Sequence, residues 1–169
     1  MSSGFHLVVA GLAVIATCVT ATAAAKRPAA SWSFYHFDGS RFAAGQPGDG
    51  TPFVAVRDGV RPVVLTRAGT IEAVPLGSGM GAIAGICYIQ KSGGKLTAAS
   101  GYVPSPHLPL EISANGRVVA TLATDDRGYF VATLPAGSYR VIARTAVEVT
   151  VENGTTTLVP LRAGKRMVD

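Results

Sequence analysis

Seven short apolar segments, each closed by a turn signal, follow one another from residue 82 towards the end of the chain. They recur roughly every ten residues, which is typical of the strands of a β-sandwich. The segments are residues 82–90, 110–114, 117–124, 128–134, 138–144, 147–151 and 155–162. No stretch after residue 25 repeats its apolar residues at the helical period. The sequence therefore predicts an all-β fold, with a seven-stranded antiparallel, Ig-like sandwich over residues 79–169.

Alternation within these segments predicts which side chains face the core. The tight turns Asn115-Gly116 and Asn153-Gly154 fix hairpins between neighbouring segments. Residues 91–109 contain three prolines and are predicted to form a long loop. The predicted inward set is Leu110, Ile112, Val118, Ala120, Leu122, Phe130, Ala132, Leu134, Tyr139, Val141 and Ala143.

Two pieces of turn chemistry bracket the segment at 128–134. Before it, Asp125 is placed to accept backbone N–H bonds in an Asx-type turn, and Gly128 supplies the positive φ with which the chain re-enters a strand. After it, Pro135 presets φ and Gly137 accommodates the tight position. The two turns aim the aromatic residues that follow them into the core: Phe130 and Tyr139. All six residues are predicted to build the fold and not to perform chemistry.

With these turns in order, the C-terminal half resembles the carboxypeptidase regulatory-like domains, which are transthyretin-like seven-stranded sandwiches. Their pattern is a Gly-x-Val opening strand, then Thr-Asp-x-x-Gly-x-Phe, then Leu-Pro-x-Gly-x-Tyr. The opening strand corresponds to Gly85-Ile86-Cys87, with Cys87 at the valine position, and "SGGKL" (92–96) replaces a turn that usually holds proline. The resemblance covers about residues 79–169. It implies a binding, stabilising or spacer module of an exported protein, without catalytic residues.

The first 25 residues are predicted to be a secretory signal peptide. An apolar run from Leu7 to about Val19 is followed by small residues that end at Ala25, the arrangement of an export signal with its cleavage site. A transmembrane anchor is the alternative, but the run is short for a span of about 20 residues. A lipid anchor at Cys18 is a second alternative, because Ile15-Ala16-Thr17-Cys18 is similar to a bacterial lipoprotein box.

Residues 26–78 are predicted to be a small β-rich extension. The stretch "SWSFYHF" (31–37) reads as a strand, "PFVAVR" and "VRPVVLTR" flank an Asp-Gly turn, and "TIEAVPL" (70–76) completes a four-strand meander. Glycine-rich residues 77–82 are predicted to be a flexible joint. The aromatic cluster of this extension is the one feature with promise as a binding surface, although one face of it is also expected to be core: Trp32, Phe34, Tyr35 and Phe37.

The remaining reactive residue types form no recognisable constellation in the sequence. His36 and His107 have no Cys or His neighbour at metal-ligand spacing. Asp125 and Asp126 lack the ligand spacing of a calcium loop. Cys87 would be reactive only if it were exposed beside positive charge, and its strand position predicts a buried, inert thiol. We therefore predict no metal, no cofactor and no enzymatic activity.

The net charge of +5 is carried by scattered basic residues, so a solvated surface is expected and no nucleic-acid partner is predicted. The expected function is that of an exported structural or interaction protein, periplasmic, cell-surface or extracellular. It would dock onto a protein partner, or onto further copies of itself, through the aromatic extension. The alternative is a carbohydrate-binding module that uses the Trp32/Tyr35 cluster to bind a polysaccharide.

Overall fold

The structure is a computed structural model that describes residues 31–93 and 100–168. This part of the chain is all-β and contains no helix, so it holds none that could cross a membrane. The first four strands are β1 (Ser33–Phe37), β2 (Phe42–Ala44), β3 (Phe53–Arg57) and β4 (Val60–Leu65). The others are β5 (Met80–Gly93), β6 (Ser100–Pro104), β7 (Pro109–Ala114), β8 (Arg117–Ala123), β9 (Tyr129–Pro135), β10 (Gly137–Ile142), β11 (Ala146–Val151) and β12 (Thr156–Val168).

The strands form three sheets. The N-terminal sheet has the order β2-β1-β3-β4, and the outer sheet has the order β11-β10-β7-β8. The middle sheet has the order β12-β5-β6, with β9 paired to the first half of β5. The middle and outer sheets make the sandwich, and the N-terminal sheet packs on the other face of the middle sheet.

Strand β5 organises the molecule because it is buried on both faces. Every residue from 81 to 88 is buried, and this segment has the nearly continuous apolar character of a strand covered on both sides. Ile83 and Cys87 face the outer sheet, whereas Ala84 and Ile86 face the N-terminal sheet. The apolar run therefore supports two cores at once.

The sandwich differs from the predicted one in two respects. Strand β12 runs parallel to β5, from Thr156 opposite Ala82 to Val168 opposite Gly93, so the prediction of a purely antiparallel sandwich is wrong for this pair. Strand β6 lies within the predicted loop and pairs with β5. It was missed because its Gly- and Pro-containing sequence has the composition of a turn.

The core of the sandwich holds most of the residues predicted to face inward. Phe130 and Tyr139 are 3% and 7% exposed and lie in the same cluster as Ile83. Val118 is the exception, since it is 54% exposed. The register of β7 and β8 shifts between Ile112 and Ser113, which leaves Val119 as an extra residue in β8. This bulge breaks the alternation and turns Val118 to solvent.

The second core lies between the N-terminal sheet and the middle sheet. Its buried residues include Phe37 and Val54 from the N-terminal sheet and Ile86, Tyr88 and Tyr129 from the middle sheet. The ring of Phe37 lies 4.5 Å from that of Tyr88, centroid to centroid. The expectation that the extension docks outside its own sandwich through this face is therefore wrong, because the face is covered within the chain.

The extension is also not the meander that was predicted. Strand β1 lies between β2 and β3, and β2 (Phe42–Ala44) is a strand that the prediction did not include. Residues 70–76 form no strand of their own and contribute one bridge, from Pro75 to Val60. The predicted joint is a tight turn held at both sides, since Gly79 accepts from the amide of Ala136 and Met80 accepts from the amide of Gly154.

Candidate functional site

Asp125 organises the turn between β8 and β9. Its Oδ1 accepts hydrogen bonds from the amides of Arg127 at 2.9 Å and Tyr129 at 2.8 Å. Its Oδ2 accepts from Arg127 Nη2 at 2.7 Å. Gly128 has φ 79°, and a Cβ there would meet the Cys87 carbonyl oxygen at 2.9 Å. Asp125 and Gly128 therefore stabilise this turn, as the sequence predicted.

The second turn motif depends on Tyr139 and not on the tight glycine that was predicted. The hydroxyl of Tyr139 donates to the carbonyl of Pro135 at 2.8 Å, four residues earlier. Gly137 is not among the residues with positive φ. A Cβ added to Gly137 would make ordinary contact with the Tyr139 ring at 3.5 Å. The motif therefore works through the tyrosine hydroxyl, and the prediction of a tight position for Gly137 is wrong.

Gly85 and Cys87 lie side by side in the interior of the sandwich. A Cβ on Gly85 would stand 2.4 Å from both the Phe130 ring and the carbonyl oxygen of Val159, so only glycine fits there. Cys87 is fully buried and free. Burial raises the pKa of its thiol from 9.0 to about 12, which leaves the thiol protonated and unreactive at neutral pH.

The structure divides the predicted aromatic cluster between two faces of the N-terminal sheet. Tyr35 and Phe37 face the middle sheet, with Phe37 buried and Tyr35 half-buried at the rim. Trp32 and Phe34 alternate with them and lie on the opposite face. There the Arg57 guanidinium sits 4.7 Å from the Trp32 ring centroid, so Trp32 and Tyr35 do not form one platform.

Two tyrosine hydroxyls join the extension to the sandwich. Tyr129 donates to the carbonyl of Pro52 at 3.1 Å, and Tyr102 donates to the carbonyl of Phe37 at 3.5 Å. Burial raises the pKa of Tyr129 above its usual range. The hydroxyl therefore keeps the proton that it donates. The sequence did not reveal Tyr129 because its strand was expected to bury only one face, and it did not reveal Tyr102 because that residue lies in the predicted loop.

The two histidines outside the predicted signal peptide are bound to nearby groups. His36 Nδ1 lies 3.1 Å from the Gly45 carbonyl oxygen, and His107 Nε2 lies 3.0 Å from Asp126 Oδ1 in an exposed pair. Within residues 31–93 and 100–168 no cluster of three or more potential metal ligands occurs. Within this part of the chain, neither histidine therefore belongs to a cluster of potential metal ligands.

A cleft of about 460 Å³ lies between the edge of the N-terminal sheet and β9. It is lined by the outer residues of β4, by Val74 and by the turn that Asp125 holds. Its residues are Arg61, Pro62, Val63, Val64, Val74, Ala123, Asp125, Arg127, Tyr129, Phe130 and Val131. No sequence motif signals this cleft, because it exists only when the extension packs on the sandwich. The apolar run of β5 is the one signal for that packing.

No protein-family model and no curated protein matches this chain. A solved structure that it resembles is a minor pilin of the Gram-positive pathogen Streptococcus agalactiae, with a TM-score of 0.39 and 13% sequence identity. The match covers 76% of this chain and 66% of the pilin chain, slightly under two thirds of the pilin's length. At this level of similarity, neither the fold nor the role of the pilin carries over.

Proposed function

We propose that this chain is an exported, non-enzymatic structural or interaction protein of a cell envelope or extracellular assembly, made with a signal peptide over residues 1–25. The observation that carries the proposal is the stack of three sheets on one central strand. Extension and sandwich share a buried aromatic core and two tyrosine hydrogen bonds. Such a body has the stiffness that a spacer or docking module needs.

The parallel ladder of β5 and β12 adds to this argument. It runs through the centre of the molecule from Ala82 and Thr156 to Gly93 and Val168. Tension between the start of β5 and the end of β12 shears parallel strands along their length. Their hydrogen bonds then have to break together and not one after another. A chain that links parts of an assembly under tension gains from this arrangement.

We also propose that residues 79–169 are a module of the carboxypeptidase regulatory-like kind. The geometry of most of its motif residues supports this, because they have structural functions. Gly85 makes room for Phe130, Asp125 and Gly128 build one turn, and the Tyr139 hydroxyl caps the Pro135 carbonyl. Motif residues that only stabilise the fold are what we expect in a family of spacer and binding modules.

The direct test combines location with activity. An epitope-tagged chain should be found outside the cytoplasmic membrane, with residues 1–25 removed. The purified form, residues 26–169, should release no product from ester, peptide or glycan substrates. Turnover that disappears when one residue is changed, or retention of the tagged chain in the cytoplasm, would contradict the proposal.

A further inference from the structure

The side of β9 that faces away from β5 presents unpaired main-chain groups. The carbonyl of Gly128 accepts from the Cys87 amide, whereas the N–H and C=O of Tyr129 both bond to Asp125 on the other side. Successive residues of an antiparallel strand direct these groups alternately to either side. The N–H and C=O of Val131 and Thr133 therefore point away from β5. Among the described strands, β9 pairs with β5 alone.

The cleft described above lies along this open edge. Val131 lines it from β9, and Val63 and Val74 line it from the N-terminal sheet and its connector. Val74 is 47% exposed. At one end, Arg127 Nη2 reaches across to the carbonyl of Val64 at 3.5 Å. The edge of β9 is thus recessed beside apolar side chains.

Four other edge strands carry features that discourage pairing. Strand β2 has only three residues, and β8 is interrupted by its bulge. Strand β4 contains Pro62, and the amide of Arg61 in the same strand already donates to the Val74 carbonyl. On β11, the Thr150 carbonyl accepts from the hydroxyl of Thr157. The edge of β9 is limited at its two ends, by the bonds of Tyr129 to Asp125 and by Pro135, whose carbonyl accepts from Tyr139. Between these ends, Val131 and Thr133 keep N–H and C=O groups that pair with no described strand.

We propose that this edge of β9 binds an extended segment of another protein by β-strand addition, and that the segment alternates apolar and acidic side chains. Strand addition supplies main-chain hydrogen bonds, and alternate side chains then contact the surfaces beside the edge. The apolar set would meet Val74 and Val131. The acidic set would meet Arg61, which is exposed and makes no ion pair with any described residue. The proposal rests on the interaction role given above.

The charge of the cleft favours an acidic segment over a basic one. Arg127 is already paired with Asp125 at 2.7 Å, so the unbalanced charge beside the edge is that of Arg61. A second copy of the chain is a poorer occupant, because its own net charge of +5 opposes binding beside the unpaired Arg61. These two features select a partner with a free, acidic, strand-forming segment.

The probe is the hexapeptide acetyl-Val-Glu-Val-Glu-Val-Glu-amide with a fluorescent label, titrated into residues 26–169. Binding should protect the amides of Val131 and Thr133 from hydrogen exchange. Thr133→Pro removes an N–H that points away from β5, a position where an edge strand tolerates proline. It should weaken binding by at least about tenfold. Thr133→Val keeps the N–H and should bind like the unchanged chain.

Charge reversal supplies the second arm. Arg61→Glu should weaken binding of the acidic peptide by about tenfold or more. The same variant should bind more tightly a peptide that has lysine in place of glutamate. The proposal is overturned if neither peptide binds at about 1 mM, if Thr133→Pro binds normally, or if protection appears at other strands. A dimer of the free protein that Thr133→Pro abolishes would also overturn it, in favour of a second copy. Any of these failures leaves the test by location and activity unaffected.

Discussion

The hydroxyl of Tyr129, at the start of β9, donates a hydrogen bond to the carbonyl of Pro52 at a distance of 3.1 Å. The two residues are 77 positions apart in the chain. Tyr129 is 1% exposed, and its ring belongs to the core between the N-terminal and middle sheets. This bond therefore connects the turn motif of the sandwich directly to the extension that precedes it.

Removing the Tyr129 hydroxyl should weaken the contact between the two parts. Tyr129→Phe keeps the ring but leaves the Pro52 carbonyl without its partner, so the free energy of unfolding should fall by about 0.5–1.5 kcal/mol. Urea denaturation measures the change. Tyr35→Phe is the matched control, because that hydroxyl has no hydrogen bond within the described residues and its loss should change stability by less than about 0.5 kcal/mol. Equal losses would show that the bond to Pro52 contributes nothing.

Gly85→Ala should be strongly destabilising, although alanine adds a single methyl group. The new Cβ would stand 2.4 Å from the Phe130 ring and 2.4 Å from the Val159 carbonyl oxygen. The backbone oxygen cannot move aside without disturbing the β5–β12 ladder, so a cost of about 1–3 kcal/mol or more is expected. Gly69→Ala, where no atom lies within 4 Å, should leave the thermal midpoint nearly unchanged. A Gly85→Ala variant with the same thermal midpoint as the unchanged protein would contradict this packing.

Phe130 and Arg140 test the register of the sandwich. Phe130→Ala should cost about 3–5 kcal/mol, because the ring is buried in the sandwich core. Arg140 is exposed and pairs loosely with Glu148 at 3.6 Å, so Arg140→Ala should change the free energy of unfolding by no more than about 0.5 kcal/mol. Chemical denaturation of both variants decides the matter. Similar losses at the two positions would mean that the assigned faces of β9 and β10 are wrong.

Acid should weaken the extension through Asp38. Hydrogen bonds from the amides of Arg41 and Ser40, and from the Ser40 hydroxyl, lower the pKa of this carboxyl from 3.8 to about 2. A lowered folded-state pKa contributes stability above the unfolded value, and this contribution is lost as the pH falls from 3.8 through about 2.

Asp38→Asn should therefore reduce the loss of stability between about pH 5 and pH 2. The measurement is the urea midpoint at several pH values across that range. Ser40→Ala removes only the hydroxyl donor and should give an intermediate slope. An unchanged slope in Asp38→Asn would show that this carboxylate is not held by the turn.

The sequence predicted the sandwich well where local chemistry determines it. Asp125 and Gly128 specify their turn by hydrogen bonding and backbone conformation, and alternation places Phe130 and Tyr139 inward. It failed at Val118, because a bulge shifts the register without any local signal, and at Gly137, whose backbone conformation is ordinary. The parallel pairing of β12 is a long-range choice that no turn dictates.

The candidate site was less accessible to prediction than the fold. The cleft depends on the distance between the N-terminal sheet and β9, which follows from the second core. The apolar stretch from Ala82 to Tyr88 in β5 contained the relevant information, since its even-numbered residues are as apolar as its odd-numbered ones. Two-sided burial follows from such a run. Which surface covers the second face is settled by tertiary packing, and Phe37 meets that surface within the same chain.

The most direct test of the account is whether Phe37 packs on Tyr88 of its own chain. Nuclear Overhauser effects between the two rings, whose centroids are 4.5 Å apart, can be recorded for residues 26–169 in two samples. One is uniformly labelled, and the other mixes labelled and unlabelled copies with an isotope filter. We expect cross-peaks in the first sample and none between copies in the second. Cross-peaks that arise only between labelled and unlabelled copies, or no cross-peaks in either sample, would contradict the three-sheet body.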